Sequence, residues 1–375
     1  MSMALFTGTA RAQTHFIAGA DLSLLTYFES KGIVYKDQGQ PEDAINILKK
    51  HGINCIRLRL FTSSRQQAQT DPYDYINNLA YTVPLAARVK KAGLQLMIDF
   101  HYSDTWADPG HQATPCAWTH LAFPQLVEQM REYNSNCIAA FRSASAMPDY
   151  VQVGNEITGG MLWPYGQLSG SNPKKEWSQF ADLMKSAIQG IKDASGQQMP
   201  KIIVHIDRGG DWKTTEWFFD HLNRQAVPYD IIGESYYPFY HGAPSNLIEC
   251  VTNAVKRYGK PVIIAETDLP RIYSTNIFNF PASAAGQVEF VGLLGRIMKS
   301  APNHLGAGII WWGAEYEWPN ANEAGVGTRS FFDENGNVLP VADALGRLAG
   351  PLNITANSGQ LPALQSFKSA HLSVP

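Results

Sequence analysis

Eight short apolar runs, each followed by an amphipathic or Ala/Leu-rich stretch, limit this chain to very few folds. The runs are 16–21, 54–61, 94–101, 150–156, 201–207, 230–236, 261–266 and 306–312. Each is about four to eight residues long, rich in Val, Ile and Leu, and reads as a strand buried on both faces. Helical candidates lie between and after them, at 41–51, 75–92, 123–145, 175–194, 214–225, 245–258, 282–300 and 341–348. Strand–helix units repeated eight times in order predict an α/β fold of the (β/α)8, or TIM-barrel, type. Helix ends agree with that register: Lys49-Lys50-His51-Gly52 and Lys90-Lys91-Ala92-Gly93 place cations, then glycine, where a helix C-terminus favours both.

A chain of 375 residues has room for two average domains, but a barrel of this type commonly fills roughly 200–400 as one. The expected division is a leader over 1–13, a single catalytic barrel over 14–349 and a Pro/Ser/Ala/Gln-rich tail over 350–375. The leader ends in an Ala-x-Ala pattern, Ala10-Arg11-Ala12, and resembles the end of a secretory signal peptide; a leader without targeting meaning is the alternative. A secreted or periplasmic, monomeric protein is the expectation. The net charge of −3 supplies no electrostatic reason for a nucleic-acid or anionic-lipid partner. No apolar run approaches the roughly 18 residues that span a bilayer. Of the four cysteines, Cys116 and Cys137 are a candidate bridge, while Cys55 and Cys250 read as core or helix residues.

Two of the runs close on a glutamate: Tyr150-Val-Gln-Val-Gly-Asn155-Glu156 and Pro261-Val-Ile-Ile-Ala-Glu266-Thr267. The C-terminal ends of barrel strands carry active sites, and two carboxylates meeting there form the apparatus that cleaves glycosidic bonds. Strand alternation puts Gln152, Gly154 and Glu156 on one face, and Val262, Ile264 and Glu266 on one face. If those faces point inward, both glutamates rise at the mouth. Arg57 and Arg59 share a face of the second strand, and a buried arginine needs an anionic partner. Arg59, nearer the strand end, is the expected partner of Glu266; Arg57 suits a structural ion pair.

Other chemistry-bearing residues follow the strands. His101, Asp104 and Trp106 after the third concentrate hydrogen-bonding groups and an indole for sugar hydroxyls and ring faces. Asn155 is placed to hold a sugar 2-hydroxyl. His205 and Asp207 read as a hydrogen-bonding pair lining the cleft, a metal pair being the alternative without an evident third ligand. Ser235, Tyr236 and Tyr237 close the sixth strand, and either phenol could hold Glu266 in place. Of Trp311 and Trp312, one floors the cleft and the other packs in the core. Trp163 is a further stacking candidate.

The runs Gly19-Ala-Asp21-Leu-Ser, Gly52-Ile-Asn54-Cys-Ile-Arg57-Leu-Arg59, His101-Tyr-Ser-Asp104-Thr-Trp106-Ala-Asp108-Pro109, Gly154-Asn155-Glu156 with Leu162-Trp163-Pro164, and Ser235-Tyr-Tyr-Pro-Phe239 resemble glycoside hydrolase family 53. That resemblance implies a clan A barrel acting with retention of anomeric configuration, Glu156 as acid/base, Glu266 as nucleophile, and the β-1,4-galactan of type I arabinogalactan as substrate. It departs after the second strand, at Phe61-Thr62-Ser63, and at the eighth, at Trp311-Trp312-Gly313-Ala314-Glu315. No cofactor is required by this chemistry. Some bacterial members hold a structural calcium, for which no recognisable ligand set stands here. The alternatives are a clan A glycosidase on another β-linked glycan such as mannan or glucan, a non-catalytic polysaccharide-binding barrel, and a metal-dependent hydrolase barrel, which the missing His-x-His after strand one disfavours.

Overall fold

In a computed structural model, which describes residues 15–272, 278–316 and 327–350, strand–helix alternation closes on itself. The leader 1–13 and the tail from 351 onward lie outside the described residues. The barrel strands are β1 (Ile17–Asp21), β2 (Cys55–Leu60), β3 (Gln95–Phe100), β4 (Tyr150–Val153), β5 (Lys201–Ile206), β6 (Ile231–Ser235), β7 (Val262–Thr267) and β8 (Gly306–Trp311). All neighbours are parallel, and β1 pairs with both β2 and β8 to complete the ring. The principal helices follow their strands: α1 (Ala44–Lys50), α2 (Leu79–Lys91), α3 (Phe123–Ser143), α4 (Pro173–Ser195), α5 (Trp212–Arg224), α6 (Pro244–Tyr258), α7 (Ala284–Lys299) and α8 (Pro340–Gly346).

Local chemistry explains several starts and stops. The side chains of Asp43, Asn78, Asn172, Asp211 and Ser283 accept backbone N–H groups at the first turns of α1, α2, α4, α5 and α7. Lys49-Lys50 and Lys90-Lys91 fall in last turns, as the sequence predicts. The strands are buried on both faces because one set of side chains meets the helices and the other fills the barrel.

The inner set is layered. At the bottom, Ile17, Cys55, Met97, Ile203, Ile231, Ile263, Ala265 and Ile310 form a buried apolar plug. One step up the same faces, the residues turn polar: Asp21, Arg57, Asp99, Gln152 and His205, each fully buried. Such a layer is stable only if its members satisfy one another. They do so below the mouth, which makes this layer the platform of the site. The four cysteines are unbridged; Cys116 is exposed while Cys137 is buried in α3. The candidate Cys116–Cys137 bridge is therefore corrected.

Candidate active site

Glu156 is not placed by strand alternation. β4 ends at Val153, and Gly154 takes φ +89, a left-handed conformation that returns the chain across the barrel mouth. A Cβ there would meet Ile157 Cγ2 at 2.6 Å, so glycine is needed for space as well as for φ. Glu156 itself sits at φ 50, which costs a non-glycine residue about 1–2 kcal/mol. Its neighbours hold it there. Asn155 Nδ2 donates to the Ala107 carbonyl at 2.8 Å, Gln112 Nε2 donates to the Asn155 carbonyl at 2.8 Å, and Ser235 Oγ donates to Glu156 Oε1 at 2.5 Å.

Glu266 reaches the mouth by a different irregularity. Ile263 and Ala265 belong to the inner plug, whereas Val262 and Ile264 face the helices, so simple alternation would send Glu266 outward. The pairing of β6 with β7 skips a residue: Glu234 faces Ile264, and Ser235 faces Glu266. This bulge turns two consecutive residues inward and re-aims the carboxylate. The face-sharing of Glu266 with Val262 and Ile264 is thus corrected.

The pairing of Arg59 with Glu266 is also corrected. Arg57 Nη2 lies 2.7 Å from Glu266 Oε1, and the same guanidinium meets Asp99 at 2.7 Å and Asp21 at 2.8 Å. Its Nε donates to Gln152 Oε1 at 3.3 Å. The reason is reach. Two residues along a strand rise about 6.6 Å, close to the length of an extended arginine, so the lower arginine ends at the level of the glutamates. Arg59 overshoots. Its guanidinium lies 4.1 Å from the centre of the Trp106 ring and 5.8 Å from that of Trp312, with Asp21 3.8 Å away.

Tyr237, not Tyr236, holds Glu266: its hydroxyl donates to Oε2 at 3.0 Å, while the Tyr236 hydroxyl donates to the Gly242 carbonyl. The two carboxyls thus differ. Burial, and next the charge of Glu266, push the Glu156 carboxyl well above the usual range, with the Ser235 hydroxyl pulling back. Burial raises Glu266 too, but Arg57 opposes it directly and Tyr237 adds a donor. Of the pair, Glu266 is the one that gives up its proton first.

Around them lies a cleft of about 560 Å³, lined by Arg59, His101, Trp106, Asn155, Asp207 and Trp312, among others. His101 accepts the Ala107 N–H on Nδ1 and meets Asp99 through Nε2 at 2.9 Å. Asp207 accepts from Thr158 Oγ1 and lies 3.4 Å from Arg208, so it does not pair with His205. His205 and Ser235 sit beneath the cleft, fully buried, rather than lining it. Asp104 is turned away from the cleft, accepting from Thr62, Gln67 and the Cys116 N–H, and it anchors the loop after β3. Trp163 is turned to Gly159 and Gln112, tying two loops together, and Trp311 packs in the core, leaving Trp312 at the cleft. Residues that sequence reasoning did not place in the site are Asp21, Asp99 and Gln152 in the platform, and Arg208, Tyr240, His241 and Arg329 along the cleft. Asp99 and Gln152 carried a readable signal: polar side chains inside otherwise apolar buried strands.

No group of three His, Cys, Asp or Glu side chains able to hold a metal ion occurs among the described residues, and His205 and Asp207 gain no third ligand. Residues 317–326 lie outside the described residues. Glu315, fully buried, accepts the Leu24 N–H at 2.7 Å; burial first, then Asp21, push its carboxyl up to about 8. The folded state keeps this proton up to about pH 8, whereas the unfolded chain releases it near 4.5. Stability is therefore lost as pH rises through that window. Glu315→Gln is expected to unfold at higher urea than the parent at pH 8, by on the order of 3 kcal/mol, and to match it at pH 4.5. Equal effects at both pH values would rule out the titration as their source.

A model of the family described as Glycosyl hydrolase family 53 matches residues 17–345. The chain belongs to that family. As a family 53 member it is a glycoside hydrolase, and both glutamates lie within the matched span. It is 36% identical, over 78% of its length and 82% of the relative's, to a probable arabinogalactan endo-β-1,4-galactanase A of Aspergillus fumigatus. Among solved structures it resembles the family 53 catalytic domain of Ignisphaera aggregans at a TM-score of 0.81 and 32% identity, covering 92% of this chain and 99% of that one. A fungal β-1,4-galactanase superposes at a TM-score of 0.79 with 32% identity, over 88% and 98%.

Proposed function

We propose that this family 53 enzyme cleaves internal β-1,4-galactosidic bonds of galactan and type I arabinogalactan with retention of configuration. The observation that carries the mechanism is the unequal environment of two carboxyls in one cleft. Glu266, against Arg57 and Tyr237, is the ionised nucleophile. Glu156, buried beside that charge, is the protonated acid. In the first step Glu156 gives its proton to the glycosidic oxygen as Glu266 forms an ester to the anomeric carbon. In the second, Glu156 takes a proton from the water that breaks the ester. Retention requires carboxyls roughly 5–5.5 Å apart. Asn155 Oδ1 accepts from Arg57, and its Nδ2 has one further hydrogen, which serves the sugar 2-hydroxyl.

Galactan is the substrate because the named relatives are galactanases, and the shelf of Trp106 and Trp312 offers ring faces to a sugar chain. A polymer of that size does not cross a membrane unaided, so we place the enzyme outside the cytoplasm.

The test is digestion of linear galactan, with products resolved by length over time and the first anomer read by proton NMR. A ladder of oligosaccharides with the β-anomer formed first is expected. Release from mannan or glucan in preference would reassign the substrate, and binding without reducing ends would make this a non-catalytic barrel. Glu156→Ala is expected to lose about 10²–10⁴-fold on polymer and to recover on an activated aryl glycoside when azide is added. Absence of that recovery would remove Glu156 as the acid/base.

A further inference from the structure

Ser235 and His205 stand below the cleft, where no sugar reaches them, yet both are built into the site. His205 Nε2 lies 2.8 Å from Ser235 Oγ, which in turn donates to Glu156 Oε1. On its other side, His205 Nδ1 lies 2.9 Å from Gln152 Nε2 and 3.1 Å from Asn155 Oδ1. The direction of this chain can be assigned. Gln152 Oε1 receives Arg57, which only donates, and Gln152 Nε2 faces Asp99, which accepts. The amide nitrogen is therefore the atom turned toward His205, and it donates to Nδ1. His205 is neutral, because burial and the nearby charge of Arg57 push its pKa well below the ordinary value. A neutral imidazole that accepts on Nδ1 carries its hydrogen on Nε2 and donates to Ser235.

We infer that Ser235 and His205 are positioning residues for the proton transfers of Glu156: a run of donors from Gln152 through His205 and Ser235 ends on Glu156 Oε1 and steadies the carboxylate formed when its proton leaves. This rests on the reading of Glu156 as acid/base. The run acts against the other groups that face Glu156, namely Glu266 and Asp207, which favour its protonated form, with Arg57 the cation that opposes them. Its far end returns through Gln152 to Arg57 and so to Glu266. One hydrogen-bonded path thus joins both carboxyls from beneath the cleft, adding fixed dipoles to the direct repulsion between them.

The sign of the effect follows from the chemistry. Free enzyme needs Glu156 protonated, so its pKa sets the alkaline limb of kcat/KM. Removing a donor to the anion raises that pKa. Ser235→Ala is expected to move the alkaline limb up by about one pH unit and lower kcat about 10–100-fold, with KM changed less than about twofold. His205→Phe should move the limb in the same direction, and His205→Gln, which retains a donor, should restore most of it. Ser235→Cys, of similar shape with a weaker donor, gives an intermediate shift and serves if the alanine variant does not fold. A limb that stays in place or moves down in folded Ser235→Ala, or a loss confined to KM, overturns the inference. Azide recovery of Glu156→Ala is measured beside it. If azide recovers activity but the limb does not move, the donor run alone is wrong; if azide fails, the acid/base assignment is wrong.

Discussion

Glu266→Ala is expected to lose galactan hydrolysis on the order of 10⁴-fold or more while remaining folded. The magnitude follows from removing the proposed nucleophile, the group that would split one difficult displacement into two easier ones. Folding survives because Arg57 keeps two anionic partners, Asp21 and Asp99, at 2.8 and 2.7 Å. Burial also raises Glu266, so its removal relieves a desolvated charge. A thermal midpoint within a few degrees of the parent, or above it, is the expected control. The decisive measurement is the product formed from an activated β-glycoside in azide. In Glu266→Ala the small anion occupies the vacated side of the sugar and displaces the leaving group directly, giving the α-azide. In Glu156→Ala it attacks the ester formed on Glu266 and gives the β-azide. Opposite anomers from the two variants separate nucleophile from acid/base. The same anomer from both, or activity of Glu266→Ala within tenfold of the parent, would refute the roles.

That both glutamates were legible in the sequence owes more to where strands end than to how they alternate. Buried parallel strands are short, apolar and bounded by Gly, Pro and polar residues, so all eight predicted runs lie within a few residues of the observed strands. Periodicity then failed at the two residues that matter most. Gly154 at φ +89 and the bulge at Ala265 are local backbone irregularities, which a period-two pattern cannot contain. Both re-aim a side chain at the active site, where departures from regular geometry are expected to concentrate.

The arginines show a second limit. Sequence position says where a Cα lies along a strand, but a guanidinium acts some two residues further up. Arg57 thereby reached Glu266 while Arg59 passed beyond it to Trp106. Tyr236 and Tyr237 were inseparable for a related reason. Tyr236 follows the last residue of β6 directly and packs in the core, whereas Tyr237, one residue on, turns its hydroxyl into the cleft. The sequence marks His205 and Ser235 as site residues, but their depth below the cleft depends on the closure of the barrel, which no single strand reveals.

Because Arg57 joins the platform to Glu266, the proposed nucleophile, its loss is expected to act on stability and activity together. Arg57 is fully buried among Asp21, Asp99 and Glu266, and breaking such a group by removing its cation typically costs about 3–5 kcal/mol. Arg57→Ala should show that deficit in urea unfolding at neutral pH. Burial pushes Asp99 up, and Arg57, then His101, overcome it and hold the carboxyl below its ordinary range. The stability carried by Asp99 is thus present above the unfolded pKa and lost as pH falls through the depressed folded one. Without Arg57 burial instead raises this carboxyl, so the variant gains stability as it takes up protons on going from neutral pH toward pH 4, and the deficit should narrow there. Activity responds through Glu266, whose ionisation sets the acid limb of kcat/KM. Arg57 is the main group favouring that ionisation, so the acid limb should move to higher pH in Arg57→Ala and kcat should fall. Arg57→Lys retains charge but not the forked geometry that meets three carboxylates at once. It should recover part of the stability and bring the acid limb back toward the parent. An Arg57→Ala enzyme with a deficit below about 1 kcal/mol and an unmoved acid limb would show that Glu266 is held ionised by something other than this guanidinium.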